Sequence, residues 1–315
     1  MYDEFMHDHD INNKPLNPHD FQSEKALNAG RAALIIVFIL IFAKVIAYLF
    51  SGSASVLSTL TDSIADAMMS MTAFISLRMS LKPADDEHRY GHGKIEGLFA
   101  LIQSVVIAMA GVVVAYTAVK QLLSPVPITD HILGGGVMVF SIALTLLLVV
   151  IQKRALRETR SLAIEADHVH YKSDIAINAG VFLVLIATYY GAPLWLDAIF
   201  AFIIALYIWH TSYDVGRKAV DMLLDREVED SIRDLIKEIV LEHDEVMSMH
   251  DLRAIRSGMK MIINFDIDVD PNILLWSAHE IARDVELSLL QQFKNAEIMI
   301  HIDPAGSPAD SRHVH

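Results

Sequence analysis

The chain has 315 residues, of which 53% are hydrophobic and 20% are charged, with 25 basic against 39 acidic side chains and a net charge of −14. So acidic a chain is unsuited to nucleic acid, because neutralising phosphates requires a basic surface. No cysteine is present, which excludes disulfides, iron–sulfur clusters and thiolate metal ligands. Any metal ion must therefore be held by His, Asp or Glu, and the apolar content is high for a soluble protein.

Six apolar segments are long enough to cross a membrane as helices. The first, residues 32–50, is nearly uninterrupted, and about 20 apolar residues suffice to span a hydrocarbon core of about 30 Å. Glycine and proline occur in several of the connections, where helices can end. The pattern predicts an α-helical membrane protein surrounded by lipid, with transmembrane helices at 32–50, 55–80, 97–123, 131–152, 162–190 and 194–214.

Lysine and arginine residues are concentrated in alternate connections between these spans. The connections at 78–96 and 153–160 and the segment after the last span are basic, whereas those at 51–54 and 191–196 carry neither residue. Cytoplasmic loops carry an excess of Lys and Arg. The distribution therefore predicts that both termini lie in the cytoplasm, with Lys120, near the third connection, as the exception.

Two of the predicted spans each contain a pair of ionisable residues. Asp62 and Asp66 lie in the second span, and His170 and Asp174 lie in the fifth. Each pair has i, i+4 spacing, which puts both side chains on one face of a helix. Ionisable groups in lipid are costly, and three carboxylates with one imidazole suit a divalent transition metal. These four residues are therefore predicted to form a metal site within the membrane.

The basic connection between spans two and three contains the stretch PADDEHRYGHGKIEG. Asp85, His88 and His92 have metal-ligand chemistry at short spacing, and the glycines allow a folded loop. Acidic and histidine residues are also ordinary in a cytoplasmic loop. The spacing alone therefore leaves both a metal site and a solvated loop open.

Beyond the last span the chain is polar and its periodicity changes. Helical stretches at 229–242 and 274–292 alternate with half-buried strand patterns around MIINFDIDVD and EIMIHID. The order α-β-β-α-β predicts a two-layer α+β domain with its helices on one face of a three-stranded sheet. Surface histidine and aspartate are common, but five residues of such a domain are candidate metal ligands: His250, Asp266, His279, His301 and Asp303.

Composition divides the chain into four parts. Residues 1–25 are predicted to be an acidic, disordered tail, residues 26–225 the membrane domain, residues 226–304 a cytoplasmic domain and residues 305–315 a second disordered tail. Acidic residues are concentrated in the first tail and in the cytoplasmic domain. An acidic domain raises the local concentration of cations, so this one is expected to attract metal ions.

The chain resembles the cation diffusion facilitator family over about residues 26–304. The resemblance is carried by the D-x3-D and H-x3-D pairs, the loop DDEHRYGHGK and the C-terminal IHIDP. It is closest to the bacterial zinc and ferrous-iron efflux transporters, which also carry HRYGHGK and LLDR stretches. The resemblance implies a homodimer in the bacterial inner membrane that exports divalent metal ions in exchange for protons.

The resemblance also implies roles for individual residues. The family's transport site corresponds to Asp62, Asp66, His170 and Asp174. Its loop site corresponds to Asp85, His88 and His92. Its binuclear cytoplasmic site, in which an aspartate bridges two ions, corresponds to His250, His279, His301 and the bridging Asp303. A charge pair that joins the membrane and cytoplasmic parts corresponds to Lys94 and Asp225.

Two positions of the cytoplasmic site depart from the family pattern. Close members have histidine where this chain has Asp266, and often glutamine where it has Ile302. A carboxylate can still bind zinc. The predicted site therefore keeps a ligand at position 266 and loses a side-chain ligand at position 302.

The ligands favour zinc, both as the transported ion and as a structural ion. Ferrous iron, cadmium and cobalt are further possible substrates, because an imidazole suits these metals better than it suits magnesium or calcium. Metal ligands must be deprotonated, so an imidazole that titrates near neutral pH can couple metal and proton movement. The alternative is a membrane metal sensor or scaffold that moves no ions. An enzyme is not indicated, since HEIAR at 279–283 lacks the second histidine of H-E-x-x-H.

Overall fold

The computed structural model describes residues 18–51, 54–123, 133–189 and 195–306. Six long helices come first: α1 (Pro18–Ser51), α2 (Ala54–Ser80), α3 (Ile95–Leu123), α4 (Leu133–Thr159), α5 (Leu162–Tyr189) and α6 (Trp195–Leu223). Each predicted span coincides with one of these helices, apart from positions 131–132, 190 and 194, which lie outside the described residues. The predicted tails at 1–17 and 307–315 also lie outside them.

Helix α1 begins at Pro18, inside the tail predicted for residues 1–25. Residues 18–25 form the first turns of this helix. Directly after them, Ala26 and Ala29 are buried against Leu77 and its neighbours. Burial of this small apolar face stabilises the additional turns of helix.

By length and hydropathy, three of the described helices qualify as membrane spans: Ser23–Leu49, Ile95–Lys120 and Ile199–Leu223. Helices α2 and α5 carry the ionisable pairs, which lower their mean hydropathy. On the qualifying helices, large apolar side chains such as Phe42 and Ile203 point outwards and are more than half exposed. Helices that are apolar all round are typical of membrane spans.

Helices α3 and α6 pack closely along each other. Ser212 Oγ donates a hydrogen bond of 2.6 Å to the carbonyl oxygen of Ser104, and Trp209 Nε1 donates one of 3.1 Å to that of Ala108. Gly111 makes room for the Trp209 ring, since a Cβ there would lie 2.8 Å from it. Small residues and interhelical hydrogen bonds hold helices together where lipid replaces water. Helix α5 contacts α2, α3, α4 and α6, which makes it the central helix of the bundle.

The predicted αββαβ order of the C-terminal domain is confirmed. Its elements are α7 (Asp230–Leu241), β1 (Ser248–Ser257), β2 (Lys260–Val269), α8 (Leu275–Gln292) and β3 (Ala296–Pro304). The central strand β2 is antiparallel to β1 and parallel to β3. The parallel pair is possible because α8 supplies the crossover connection between its two strands.

The two helices cover one face of this sheet. On β2, Ile263, Phe265 and Ile267 are at most 1% exposed and pack with Ile236 of α7 and Leu289 of α8. Successive side chains of a strand point to opposite faces. The residues that alternate with this apolar set therefore lie on the second face, which the helices leave uncovered.

The turn between β1 and β2 docks on one end of the helix bundle. Gly258 at the turn has φ +62°, and a Cβ on it would lie 3.0 Å from the carbonyl oxygen of Gly93. A Cβ on Gly93 would in turn overlap the carbonyl group of Ser257. Met259 packs against the cluster of small apolar residues at the ends of α1, α2, α4 and α5. Two stretches of backbone are thus in direct contact where the sheet meets the loop before α3.

A buried carboxylate lies beside this contact. Glu96, in the first turn of α3, is fully buried and accepts hydrogen bonds of 2.8 Å from Ser80 Oγ and 2.7 Å from Ser161 Oγ. It also faces the backbone N–H of Ala163 at 3.4 Å. The start of α5 is a favourable place for an anion because of its free N–H groups and the helix dipole. Glu96 therefore joins α2, α3 and α5 under the docked turn.

The substitution Gly93→Ala is expected to release the turn from the bundle. The added methyl group must displace the Ser257 carbonyl, and overpacking of this kind costs about 1–3 kcal/mol. Since the chain has no cysteine, Met259→Cys provides a unique site for labelling with a maleimide. We expect Gly93→Ala to accelerate labelling of that cysteine by at least about fivefold.

Gly91→Ala is the matched control for this experiment. It strains its own backbone, because Gly91 has φ +82°, but its methyl group would meet no atom closer than 3.9 Å. The control should leave the labelling rate unchanged. Equal rates in the parent and in Gly93→Ala would show that the turn is not held by this contact.

Candidate metal sites

Helices α2 and α5 bring together three of the predicted ligands. The ligand atoms of Asp66, His170 and Asp174 lie within 4.8 Å of one another, and we call this group the intramembrane cluster after the location predicted for it. His170 Nε2 is 3.1 Å from Asp66 Oδ1 and 3.5 Å from Asp174 Oδ2. Within the described part of the chain, Asp174 Oδ2 is buried and accepts no hydrogen bond. An imidazole and two carboxylates with an unsatisfied oxygen are chemically suited to a divalent transition metal.

Asp62, the fourth predicted ligand, is not part of the intramembrane cluster. It is exposed on α2, one turn before Asp66, and a helical turn rises about 5.4 Å. While α2 and α5 keep this relative position, Asp62 lies outside the group whose ligand atoms are within 4.8 Å of one another. Beside it, Lys44 of α1 donates a hydrogen bond of 2.6 Å to Ser63 Oγ and interacts electrostatically with Asp66 and Asp62.

The loop between α2 and α3 brings its three predicted ligands together. The ligand atoms of Asp85, His88 and His92 lie within 4.8 Å of one another. The Asp85 carboxylate is 3.3 Å from His88 Nδ1 and 3.4 Å from His92 Nε2, and the two imidazole rings are 4.5 Å apart. Gly91, with φ +82°, provides the tight turn between the histidines. The loop thus offers one carboxylate and two imidazoles to a cation.

Asp85 is also fixed by the backbone of its own loop. Its Oδ1 accepts hydrogen bonds of 2.7 Å from the backbone N–H of His88 and 3.1 Å from that of Glu87. The bond from His88 is the main reason that the pKa of Asp85 lies below its usual range. The carboxylate is therefore ionised near neutral pH, which is the form that binds a metal.

The uncovered face of the C-terminal sheet carries a larger group, which we call the sheet-face cluster. Asp266 on β2 is paired in register with His250 on β1 and with His301 on β3. The His250 ring lies 3.6 Å from Asp266 Oδ2, 3.6 Å from Asp268 Oδ1 and 3.7 Å from Asp303 Oδ2. His301 Nε2 is 3.2 Å from Asp303 Oδ1. Three strands thus contribute carboxylates and imidazoles to one surface.

The sheet-face cluster differs from the predicted ligand set at two points. His279 is not in it, because α8 packs on the opposite face of the sheet and leaves this side chain exposed. Asp268 and Asp251, absent from the predicted set, each form a ligand group with His250. Asp266 and Asp268 are two residues apart on β2, so strand alternation puts them on the same face. That alternation is the sequence signal that identifies Asp268.

The charge pair predicted between Lys94 and Asp225 is present in the structure. Lys94 Nζ lies 2.8 Å from Asp225 Oδ2, with both side chains nearly half exposed. An exposed pair of this kind contributes about 0–1 kcal/mol. Lys94 directly follows Gly93, so the pair joins the end of α6 to the loop on which the β1–β2 turn docks.

Comparison with known proteins gives matches over both parts of the chain. Residues 31–224 match the family description "Cation efflux transmembrane domain", and residues 228–305 match "Cation efflux protein, cytoplasmic domain". A "Cation-efflux pump FieF" from Shewanella oneidensis is 43% identical over 276 residues, which cover 88% of this chain and 93% of that protein. The protein of the same name from Yersinia pestis is 38% identical over 287 residues, covering 91% and 95%.

Among solved structures, the "Metal-bound C-terminal domain of CzcD transporter from Thermotoga maritima" is similar to part of the chain. The identity is 25%, the match covers 26% of this chain and 100% of that domain, and the TM-score is 0.24.

The apolar helix bundle, the family match over residues 31–224 and the similarity to cation-efflux pumps define the class of protein as a membrane transporter for the efflux of metal cations. The chain belongs to the cation efflux family, also known as the cation diffusion facilitator family. The predicted family is confirmed, as is the combination of a helical membrane domain with a cytoplasmic α+β domain.

The substitution Asp268→Ala tests the membership of the sheet-face cluster. In a full-length background that carries Asp66→Ala and Asp85→Ala, the sheet-face cluster is the remaining ligand group among those described. Removing Asp268 should weaken zinc binding by more than about tenfold, since loss of an outer-shell partner alone costs 10–100-fold. Calorimetry on the purified protein measures the affinity.

Asp284→Ala is the control, because Asp284 is an exposed carboxylate on α8, on the other side of the sheet. It changes the net charge by the same amount and should leave the affinity unchanged. A zinc affinity that is the same in Asp268→Ala as in the background would exclude Asp268 as a ligand.

Proposed function

We propose that this protein is a proton-coupled antiporter that exports divalent transition-metal cations from the cytoplasm. The observation that supports this most directly is the intramembrane cluster, an imidazole and two carboxylates facing one another between α2 and α5 of an efflux-family chain. Ionisable side chains at membrane depth are typical of ion pathways and proton relays. All six helices α1–α6 are proposed to span the membrane around this cluster.

The cluster couples metal to protons through its ligand chemistry. His170 Nε2 lies 3.1 Å from Asp66 Oδ1, a hydrogen-bond contact that requires a proton between the two atoms. A proton then occupies the position at which Nε2 would bind a metal. Metal binding requires that this proton leave, and reprotonation of the ligands expels the metal. Exchange of metal for protons follows from this competition.

Asp62 is proposed to complete the transport site. Zinc prefers four ligands in a tetrahedral arrangement, and the intramembrane cluster provides three residues. A shift of α2 along α5 would bring Asp62, one turn away, towards His170. Movement of these two helices would also change the side of the membrane from which the ion is accessible, which is the requirement for alternating access.

Zinc is the proposed principal substrate, with ferrous iron, cadmium or cobalt as further candidates. Imidazole ligands suit these ions, whereas magnesium and calcium prefer sites made of oxygen alone. Three carboxylates and one imidazole form a mixed oxygen and nitrogen ligand set, which suits zinc, ferrous iron, cadmium and cobalt better than magnesium or calcium.

The cytoplasmic domain is proposed to bind metal at the sheet-face cluster and to form the contact of a homodimer. Residues 228–305 match the cytoplasmic domain of the family. Exposed apolar side chains of this domain, including Leu275 and Trp276, are available for such a contact. Metal at the loop site and the Lys94–Asp225 pair would then steady the junction between the two domains.

The protein is proposed to lie in the inner membrane of a bacterium with both termini in the cytoplasm. The relatives from Shewanella oneidensis and Yersinia pestis are bacterial, and the excess of Lys and Arg in alternate connections supports this orientation. Residues 26–225 would form the membrane domain and residues 226–304 the cytoplasmic domain.

Purified protein in liposomes provides the test of antiport. With zinc applied across a pH gradient, His170→Ala and Asp66→Ala should each reduce both zinc flux and the opposing proton flux by more than about tenfold, because each removes a ligand. A zinc dye and a pH dye inside the vesicles measure the two fluxes. Asp214→Asn, an exposed carboxylate of α6 outside the cluster, is the control and should retain both fluxes.

Normal zinc flux in both variants would contradict transport through the intramembrane cluster. Zinc flux without proton flux in the unmodified protein would contradict antiport but not export. Metal binding to the cytoplasmic domain with no flux under any gradient would favour the sensor or scaffold.

Selectivity is tested by His170→Asp. Replacing the imidazole by a carboxylate leaves an all-oxygen set, which suits manganese better than zinc. The ratio of manganese to zinc transport should therefore rise, by about tenfold if the ligand change is worth about 1.4 kcal/mol. A metal panel in the same liposomes measures it, and an unchanged ratio would show that His170 does not determine selectivity.

A further inference from the structure

A buried polar network lies beside the intramembrane cluster and is not part of it. Asp167 is 3% exposed, and both of its carboxylate oxygens accept hydrogen bonds. Ser70 Oγ donates to Oδ1 at 2.9 Å, and Gln152 Nε2 donates to Oδ2 at 2.7 Å. Ser70 has a single hydroxyl proton, so Tyr171 donates its own across the contact of 2.6 Å to Ser70 Oγ. We call these four residues the Asp167 network.

The Asp167 network connects the helices that carry the cluster. Ser70 lies on α2, one turn after Asp66, and Tyr171 directly follows His170 on α5. The network therefore joins α2 to α5 one helical turn from the contact between Asp66 and His170. Gln152 adds α4 to the same connection.

A carboxylate in this position requires an explanation beyond stability. Burying a charged group costs several kcal/mol unless donors replace its water, and an apolar core of the same volume is often equally stable. Hydrogen bonds differ from apolar contacts in that they fix distance and direction. Here donors from α2 and α4 bind the carboxylate of a residue on α5. These bonds fix the distances between the three helices and the rotation of each helix about its axis.

We propose that Asp167 is a positioning residue of the transport site. It does not contact the metal, but it holds α5 against α2 and α4 so that the His170 imidazole meets Asp66 at the distance that a tetrahedral ion needs. The proposal rests on the proposed transport function. Sites whose supporting residues are loose bind less tightly and discriminate less well, so Asp167 also contributes to the choice between zinc and the larger cadmium ion.

The chain itself provides a way to separate positioning from charge. Among the described residues, Gln152 Oε1 is buried without a hydrogen-bond partner, and a cavity of about 10 Å³ is lined by Gln152, Ser70 and Asp167. In Asp167→Asn, the asparagine oxygen can accept from Ser70. If the Gln152 amide turns over, its Oε1 accepts from the asparagine NH₂ group. Asp167→Asn therefore keeps the network and removes only the charge, whereas Asp167→Ala removes both.

The experiment measures zinc and cadmium transport in liposomes, with KM and maximal rate determined separately. Asp167→Ala should raise KM for zinc by more than about tenfold, the usual effect of losing a supporting residue, and should change the zinc-to-cadmium ratio of rate over KM. Asp167→Asn should stay close to the unmodified protein in both quantities. Ser212→Ala, which removes an equally buried serine that joins α3 to α6, should change neither.

Three outcomes would overturn the proposal. Equal defects in Asp167→Asn and Asp167→Ala would show that the charge acts rather than the geometry. An Asp167→Ala protein with reduced thermal stability but unchanged KM and metal ratio would show a purely structural role. If Asp167→Ala does not fold, Ser70→Ala removes one donor from the same network and must raise KM in the same direction; an unchanged KM there would also overturn it.

His170→Ala, measured alongside, distinguishes this inference from the proposed function. If His170→Ala abolishes transport while Asp167→Ala behaves like the unmodified protein, the positioning role alone fails. If His170→Ala transports normally, the transport site itself is wrong.

Discussion

The cost of dehydrating charged groups governs the arrangement of the membrane domain. A carboxylate that enters a helix bundle is tolerated only where cations or hydrogen-bond donors replace its water. Asp66 and Asp174 face His170, while Asp167 and Glu96 accept hydrogen bonds from side chains of neighbouring helices. Helix α5 supplies three of these five residues. Its central position therefore follows from where polar groups must meet, and apolar packing fills the space around them.

The two domains are joined by contacts of different physical character. The Lys94–Asp225 pair is exposed, so its strength depends on salt concentration. The contact between Gly93 and the β1–β2 turn is steric and does not depend on salt. Both involve the residues that directly follow His92 of the loop site. The contacts to the sheet and to the end of α6 are thus made by two adjacent residues, Gly93 and Lys94.

Much of the fold follows from the order of residues, because its periodicities are local. The apolar runs predict the helices, and alternation along β2 predicts which face is buried. The site is only partly predictable: i, i+4 spacing puts Asp62 and Asp66 on one face but says nothing about the axial offset between α2 and α5, which leaves Asp62 outside. Likewise, His279 and His301 are both polar residues of one small domain. Only the packing of α8 shows that they lie on opposite sides of the sheet.

The closest contacts between Gly93 and the β1–β2 turn are made by main-chain atoms of both segments. At a contact between main-chain atoms, a side-chain substitution on one side cannot be compensated by a substitution on the other. We therefore expect no covariation between the two domains at these positions. The junction instead requires glycine at position 93 and a compact turn around Gly258. A chimera that joins this helix bundle to a foreign cytoplasmic domain would have to preserve the glycine and the length of that turn, whatever else it exchanged.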